Sequence, residues 1–101
     1  MKPRVSNIAV KEAFNDARIK IGRRIRDRRI HEGLSQQKLA DMVGMSKSVL
    51  GDIERGHGNA RTKTLVKLAV GLNVDVSYFF SDGIFSNYDY STINLNLDIK
   101  E

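Results

Sequence analysis

Ser46, Lys47, Ser48, Gly51, Asp52 and Arg55 fall within the stretch SKSVLGDIERG, and their types describe a hydrogen-bonding surface rather than a reaction centre. Lysine and arginine donate, aspartate accepts, and serine does both. Wound into a helix, these positions share the outer side and leave Leu50 and Ile53, with Val49 at the margin, to be buried. Gly51 in mid-helix costs about 1 kcal/mol relative to alanine. A face of short polar side chains around a glycine is either solvated surface or a surface shaped to touch something polar and close.

The chemistry elsewhere in the chain is sparse. No serine or threonine has a plausible base, no carboxylates pair in an apolar setting, and no glycine loop could cradle a phosphate, so the chain is not read as an enzyme. His31 and His57 are the two histidines, far apart and not at metal-ligand spacing, which makes them surface residues. With no cysteine there is no disulfide framework, thiol nucleophile or Cys-rich zinc site. No cofactor is expected.

Charge is informative once it is located. The 101 residues carry a net +5, but residues 1–31 hold ten Lys/Arg against three Asp/Glu and residues 64–101 hold two against five. A basic front and an acidic rear suit a polyanion on one side rather than uniform solubilisation. The length fits one domain. No apolar run approaches a membrane span, and MKPRVSNIAVKEAF has no continuous apolar core of a signal peptide. The expectation is a soluble cytoplasmic protein that does not engage a membrane.

The elements that must position the polar face can be read from periodicity and punctuation. Phe14, Ala17, Ile21, Ile25 and Ile30 are spaced as a first helix, stopped near Gly33. Ser35 caps a second that buries Leu39, Ala40 and Val43 and ends at Gly44. Ser46 caps the third, which Gly56 terminates. A fourth starts near Thr62 and buries Leu65, Leu68, Ala69 and Leu72, and a short fifth, DVSYFF, adds Val76 and Phe79. The reading is therefore all-α: a five-helix domain over 16–80, an N-terminal extension over 1–15, and a tail over 81–101. In the tail, Ile93, Leu95, Leu97 and Ile99 alternate with polar residues, a period of two that predicts a strand.

Two short helices joined by a three-residue turn containing glycine describe a helix-turn-helix. Ala40 is small where the helices cross, Gly44 permits a left-handed backbone, and the third helix is held so that its outer face can enter a DNA major groove about 12 Å wide. Ser48 and Gly51 then read as positions of close approach.

Residues 21–80 resemble the lambda-repressor-like helix-turn-helix family, the Cro and xenobiotic-response-element type of DNA-binding regulator. The resemblance rests on IGRRIRDRR, GLSQQKLADMVGMSKSVLGDIERG, LVKLAVGLNV and YFF, several linked motifs at fixed spacing. It implies base contacts for Lys47, Ser48, Val49 and Asp52. Lysine can donate to guanine, aspartate can accept from cytosine, and Val49 can meet a thymine methyl. It implies backbone contacts for Gln36, Ser46, Arg55, His57, Asn59, Arg61 and Lys63, and a structural ion pair between Arg29 and Glu54. Family members often carry Gln, Arg or Thr where this chain has Gly51 and Asp52, so Asp52 has two roles open to it, base reader or intrahelical partner of Arg55. Of the cluster Arg23, Arg24, Arg26, Arg28 and Arg29, one or two are expected at phosphates and the rest in solvent. Tyr78 and Phe80, with Ile93, Leu95, Leu97 and Ile99, are expected at a dimer interface.

The function these implications support is a sequence-specific transcriptional regulator, most simply a repressor that binds double-stranded DNA as a homodimer on a two-fold operator. The alternative is an antitoxin that holds a protein toxin and regulates its own operon. A controller protein of a restriction-modification system differs from the first reading only in its target genes.

Overall fold

The computed structural model describes residues 4–81 as four α-helices and a closing 3-10 helix, with no strand among the described residues. In order these are α1 (Asn7–His31), α2 (Gln36–Val43), α3 (Lys47–Glu54), α4 (Thr62–Leu72) and the 3-10 helix Val76–Phe80. Serine opens three of the helices. Ser6 Oγ accepts from the amides of Ile8 and Ala9, Ser35 Oγ from Lys38 and Ser46 Oγ from Val49, satisfying donors that lack an intrahelical partner.

The core is one cluster in which Ile25, Leu39, Leu50, Leu68, Leu72 and Phe79 are fully buried. From α1 only Ile25 enters it, with Ile21 packed against it while Phe14 and Ala17 stay exposed. Leu39 and Ala40, Leu50 and Ile53, and Leu65, Leu68, Ala69 and Leu72 enter from the next three helices, with Val43 and Val76 only partly buried. Ala40, also fully buried, lies where α2 meets the rest of the motif. Gly22 allows a closer approach still. A Cβ there would stand 2.3 Å from the carbonyl oxygen of Ile53 and 2.7 Å from that of Glu54, so α1 rests backbone-on-backbone against the end of α3. In the sequence the one sign of this contact is a glycine between the apolar Ile21 and Ile25 of the same helical stripe.

Three expectations are corrected. The fifth helix is a single 3-10 segment of five residues, capped by Asp75, because a run this short closes more readily with i to i+3 bonds than with a full α-turn. The first helix starts at Asn7 rather than near Phe14 and runs without a break through position 15, where the sequence reading divides extension from domain. Ile30 is not a core residue. It is 52% exposed, its five-residue step from Ile25 carrying it off the buried stripe. The strand expected in the tail lies outside the described residues.

The arginine cluster also behaves differently from expectation. Arg24 is buried and sends Nε and Nη2 to the carbonyl oxygen of Ser81, at 3.1 and 2.9 Å. Arg28 donates to the carbonyl of Leu72 and pairs with Glu32. These guanidiniums brace α1 to the end of α4 and to the residue after the 3-10 helix, so their donors are engaged within the fold. Arg23 and Arg26 remain exposed.

Candidate nucleic-acid interface

The seat of α3 is polar at one end and apolar at the other. Gly44 takes φ 72°, ψ 43°, a left-handed turn that a side chain would resist, and this lets the amide of Met45 reach the carbonyl of Ala40 at 3.0 Å. Leu50 and Ile53 then anchor α3 in the core. At its C-terminal end the carboxylate of Glu54, 2% exposed, gathers three donors. Oε2 accepts from Arg29 Nε at 2.7 Å, while Oε1 accepts from Arg29 Nη2 at 3.0 Å and from Gln36 Nε2 at 2.9 Å. Arg29 Nη1 completes the node on the carbonyl of Leu34 at 2.8 Å. One buried acid thereby ties α1, α2 and α3 together, and the two-pronged pairing fixes orientation as well as distance.

Gln36 sits at the first position of α2 with one amide N–H taken by Glu54. An amide nitrogen has two hydrogens, so a second remains to donate outward. Ser46 is occupied by its cap, and its hydroxyl hydrogen is still free to be given to an acceptor.

On the outer side of α3, Lys47, Ser48 and Val49 are exposed, Val49 by 48%. Farther along, Arg55 Nη2 meets Asp52 Oδ1 at 2.6 Å, which places Asp52 in its intrahelical role in the free protein. Gly51 is corrected by the same contact. It is buried beneath the Arg55 guanidinium, whose Nη1 would lie 3.2 Å from a Cβ at position 51, and so is a shelf for Arg55 rather than an open point of approach. His57 and Asn59 are exposed in the loop after α3, Arg61 caps α4 with its backbone alone, and Lys63 is exposed in the first turn of α4. Asn59 also borders a groove against α1, and Lys63 borders an apolar depression with Met42, Val66 and Val70. The expected contact residues thus occupy α3, the loop after it and the start of α4, with Gln36 joined to them through Glu54.

Of the residues expected at a dimer interface, Phe80 is 62% exposed, whereas Tyr78 is half-buried and packs edge-on to Phe79 with ring centroids 6.0 Å apart. Ile93, Leu95, Leu97 and Ile99 lie outside the described residues. Among the described residues no cluster of His, Asp or Glu could hold a metal ion, and no helix is long and apolar enough to cross a membrane.

A left-handed glycine turn between two short helices, the second locked from behind and polar in front, defines a helix-turn-helix protein. The chain belongs to the Helix-turn-helix family HTH_3, of the Cro and xenobiotic-response-element type, which matches residues 25–79. It is 40% identical over 58 residues to the ImmF control region 10 kDa protein of Bacillus phage phi105, a match covering 57% of this chain and 64% of that protein. It is 45% identical over 53 residues to the HTH-type transcriptional regulator SutR of Escherichia coli (strain K12), covering 52% of this chain and 30% of that one. The chain therefore spans less than two thirds of the length of either relative. Among solved structures, the restriction-modification controller protein C.AhdI from Aeromonas hydrophila superposes with a TM-score of 0.60 at 37% identity, covering 61% of this chain and 94% of that chain.

Proposed function

We propose that the protein is a sequence-specific DNA-binding transcriptional regulator, a repressor that binds a two-fold operator as a homodimer. The observation that supports this best is the contrast between the two sides of α3. Its inner side is fixed by Leu50, Ile53 and the Glu54 node, and its outer side leaves Lys47, Ser48 and Val49 without competing structural duties. Such a helix enters a major groove as a rigid reader whose side chains need little further ordering.

In this reading Lys47 donates to guanine, Ser48 bonds a neighbouring base edge and Val49 packs on a thymine methyl. Asp52 acts through Arg55. Bare, its carboxylate would be repelled by the phosphates, whereas paired it orients a guanidinium. Gln36, Ser46, His57, Asn59, Arg61 and Lys63 hold the backbone and fix register. The two copies join through Phe80 and Tyr78 and through antiparallel pairing of their tails around Ile93, Leu95, Leu97 and Ile99.

The test is the salt dependence of binding to sites selected from random duplex DNA. About eight phosphate contacts per dimer give a log–log slope near −7. A binding constant that stays flat between about 50 and 200 mM salt would falsify DNA binding as the activity. A second reading, a controller protein of a restriction-modification system, is favoured by the likeness to C.AhdI. It predicts the same slope and differs in which promoter the selected site resembles.

A further inference from the structure

The family match begins at Ile25, yet α1 extends ahead of it from Asn7, and residues 4–14 are exposed without exception. This leading part is not featureless. Val10, Phe14, Ala17 and Ile21 follow at steps of four, three and four, which sets them in one stripe along the helix. Ile21 packs on the core, whereas Val10 and Phe14 are 52% and 42% exposed.

Beside this stripe lies an open groove of about 260 Å³, walled by Phe14, Ala17, Ile21, Ile53, Ala60 and Phe80. Arg18 borders it and gives it a polar requirement. The guanidinium carbon sits 4.6 Å from the centre of the Phe14 ring, Nη2 donates to Asn15, and the buried Nε has no acceptor. An occupant that suits the groove is apolar at repeated points and brings a carboxylate to Arg18.

The sequence supplies such a segment where the chain leaves the body. Arg24 clamps the Ser81 carbonyl, so the chain departs beside Phe80, a wall of the groove. DGIFSNYDYSTINLNLDIKE follows, with four carboxylates against one lysine, opposite in sign to residues 1–31. An extended chain advances about 3.3 Å per residue, so residue 95 can lie up to about 45 Å from Ser81. Phe14 and Ile21 are only about 10 Å apart along the helix. Reach is ample.

We propose that residues 82–101 of the same chain occupy this groove, seating the apolar side of INLNLDI on Phe14, Ala17, Ile21 and Phe80 with a tail carboxylate on Arg18. The assignment does not depend on DNA binding. It leaves the hydrogen-bonding edge of the tail free for the tail of a second copy.

The chain has no cysteine, so Asn96→Cys in the full-length protein takes a single nitroxide label on a polar position of the tail. Labelled, isotope-enriched protein diluted into excess unlabelled wild type should lose more than half the amide signal of residues 14–21. A mixture of enriched wild type with unenriched, labelled protein should lose clearly less, because a tail paired across the dimer holds its label at least one strand spacing, about 5 Å, farther from α1. Phe14→Ser, at a partly exposed site, should restore the signal in the first sample while the rest of the spectrum is unchanged. Signal loss confined to the mixture would mean that the groove takes the tail of the other copy, and the proposal would be wrong. So would loss in neither sample, or loss that Phe14→Ser does not relieve, which would show a tethered tail passing near α1 without docking.

Discussion

At the scale of single residues, the Arg29–Glu54 pair and the α3 face predict different kinds of loss. The pair is deeply set, with side chains 11% and 2% exposed, and the acid also satisfies Gln36. Removing the arginine leaves a buried carboxylate short of two hydrogen bonds, a defect of about 3–5 kcal/mol. Arg29→Met should therefore lower the melting temperature well beyond Arg28→Met, which loses the Leu72 carbonyl and the outlying Glu32 but strands no buried charge. Equal, small shifts in a thermal melt would remove Glu54 as the keystone. Lys47→Ala should instead leave stability alone, cost about 1–3 kcal/mol of binding and relax preference at one base pair, whereas Arg61→Ala should weaken all duplexes alike. Competition binding against single-base variants of a selected site separates these outcomes. The partners of Arg29 were legible only through the resemblance, since nothing in the spacing of residues 29 and 54 brings them together. The cover that Arg55 gives Gly51 was not legible at all. A mid-helix glycine looks the same from sequence whether a partner approaches it from outside or the chain's own guanidinium lies across it.

Among the elements, legibility tracked local signals. Ser35 and Ser46 precede apolar periodicity and mark their helices plainly, and Gly44 marks the turn between them. Ser6 marks a helix too, but the residues after it lie beyond the core, so the apolar spacing alone starts α1 about two turns late. What no local signal could give is the crossing of α1 on α3. Gly22→Ala would thrust a methyl group into the carbonyls of Ile53 and Glu54, and neither backbone can yield without moving α3. A loss of about 3 kcal/mol is expected, at the upper end for overpacking, together with weakened DNA binding at temperatures where the protein remains folded. Chemical denaturation and binding measured on one preparation would show whether the two losses occur together. The 3-10 helix adds a modest acid sensitivity. Asp75 is held below its ordinary carboxylate value, first by the hydrogen bond from the backbone N–H of Ser77 and then by the Ser77 side chain. Its contribution is complete above the unfolded-state value and is lost as pH falls through the lower folded-state value. Asp75→Asn should accordingly flatten the acid limb of the stability profile by lowering its neutral plateau slightly, the two profiles converging at low pH, as read by denaturation across pH.

For the whole molecule, the proposed binding of a two-fold operator by a homodimer requires that two copies of α3 be held at a repeat of about 34 Å. Phe80 alone is a small contact. Specific interfaces bury on the order of 800 Å² per partner, several times what one phenyl ring can supply. The tail adds Ile93, Leu95, Leu97 and Ile99 next to Phe80 in the sequence, and a lone alternating strand needs both a partner edge and a cover. Pairing two tails across the axis answers the first need, and the groove beside α1 answers the second. Truncation after Gly83 should then convert dimer to monomer in sedimentation and weaken operator binding, while far-ultraviolet dichroism keeps the helical signal of residues 7–80. The loss of affinity should be steep because each half-site would have to be bound independently, without the effective concentration that linkage provides. If the truncated protein still dimerised fully, the interface would belong to the surface around Tyr78 and Phe80. The tail, acidic and apolar by turns, would then be available to a different protein, and an antitoxin's hold on a toxin would become the reading to pursue.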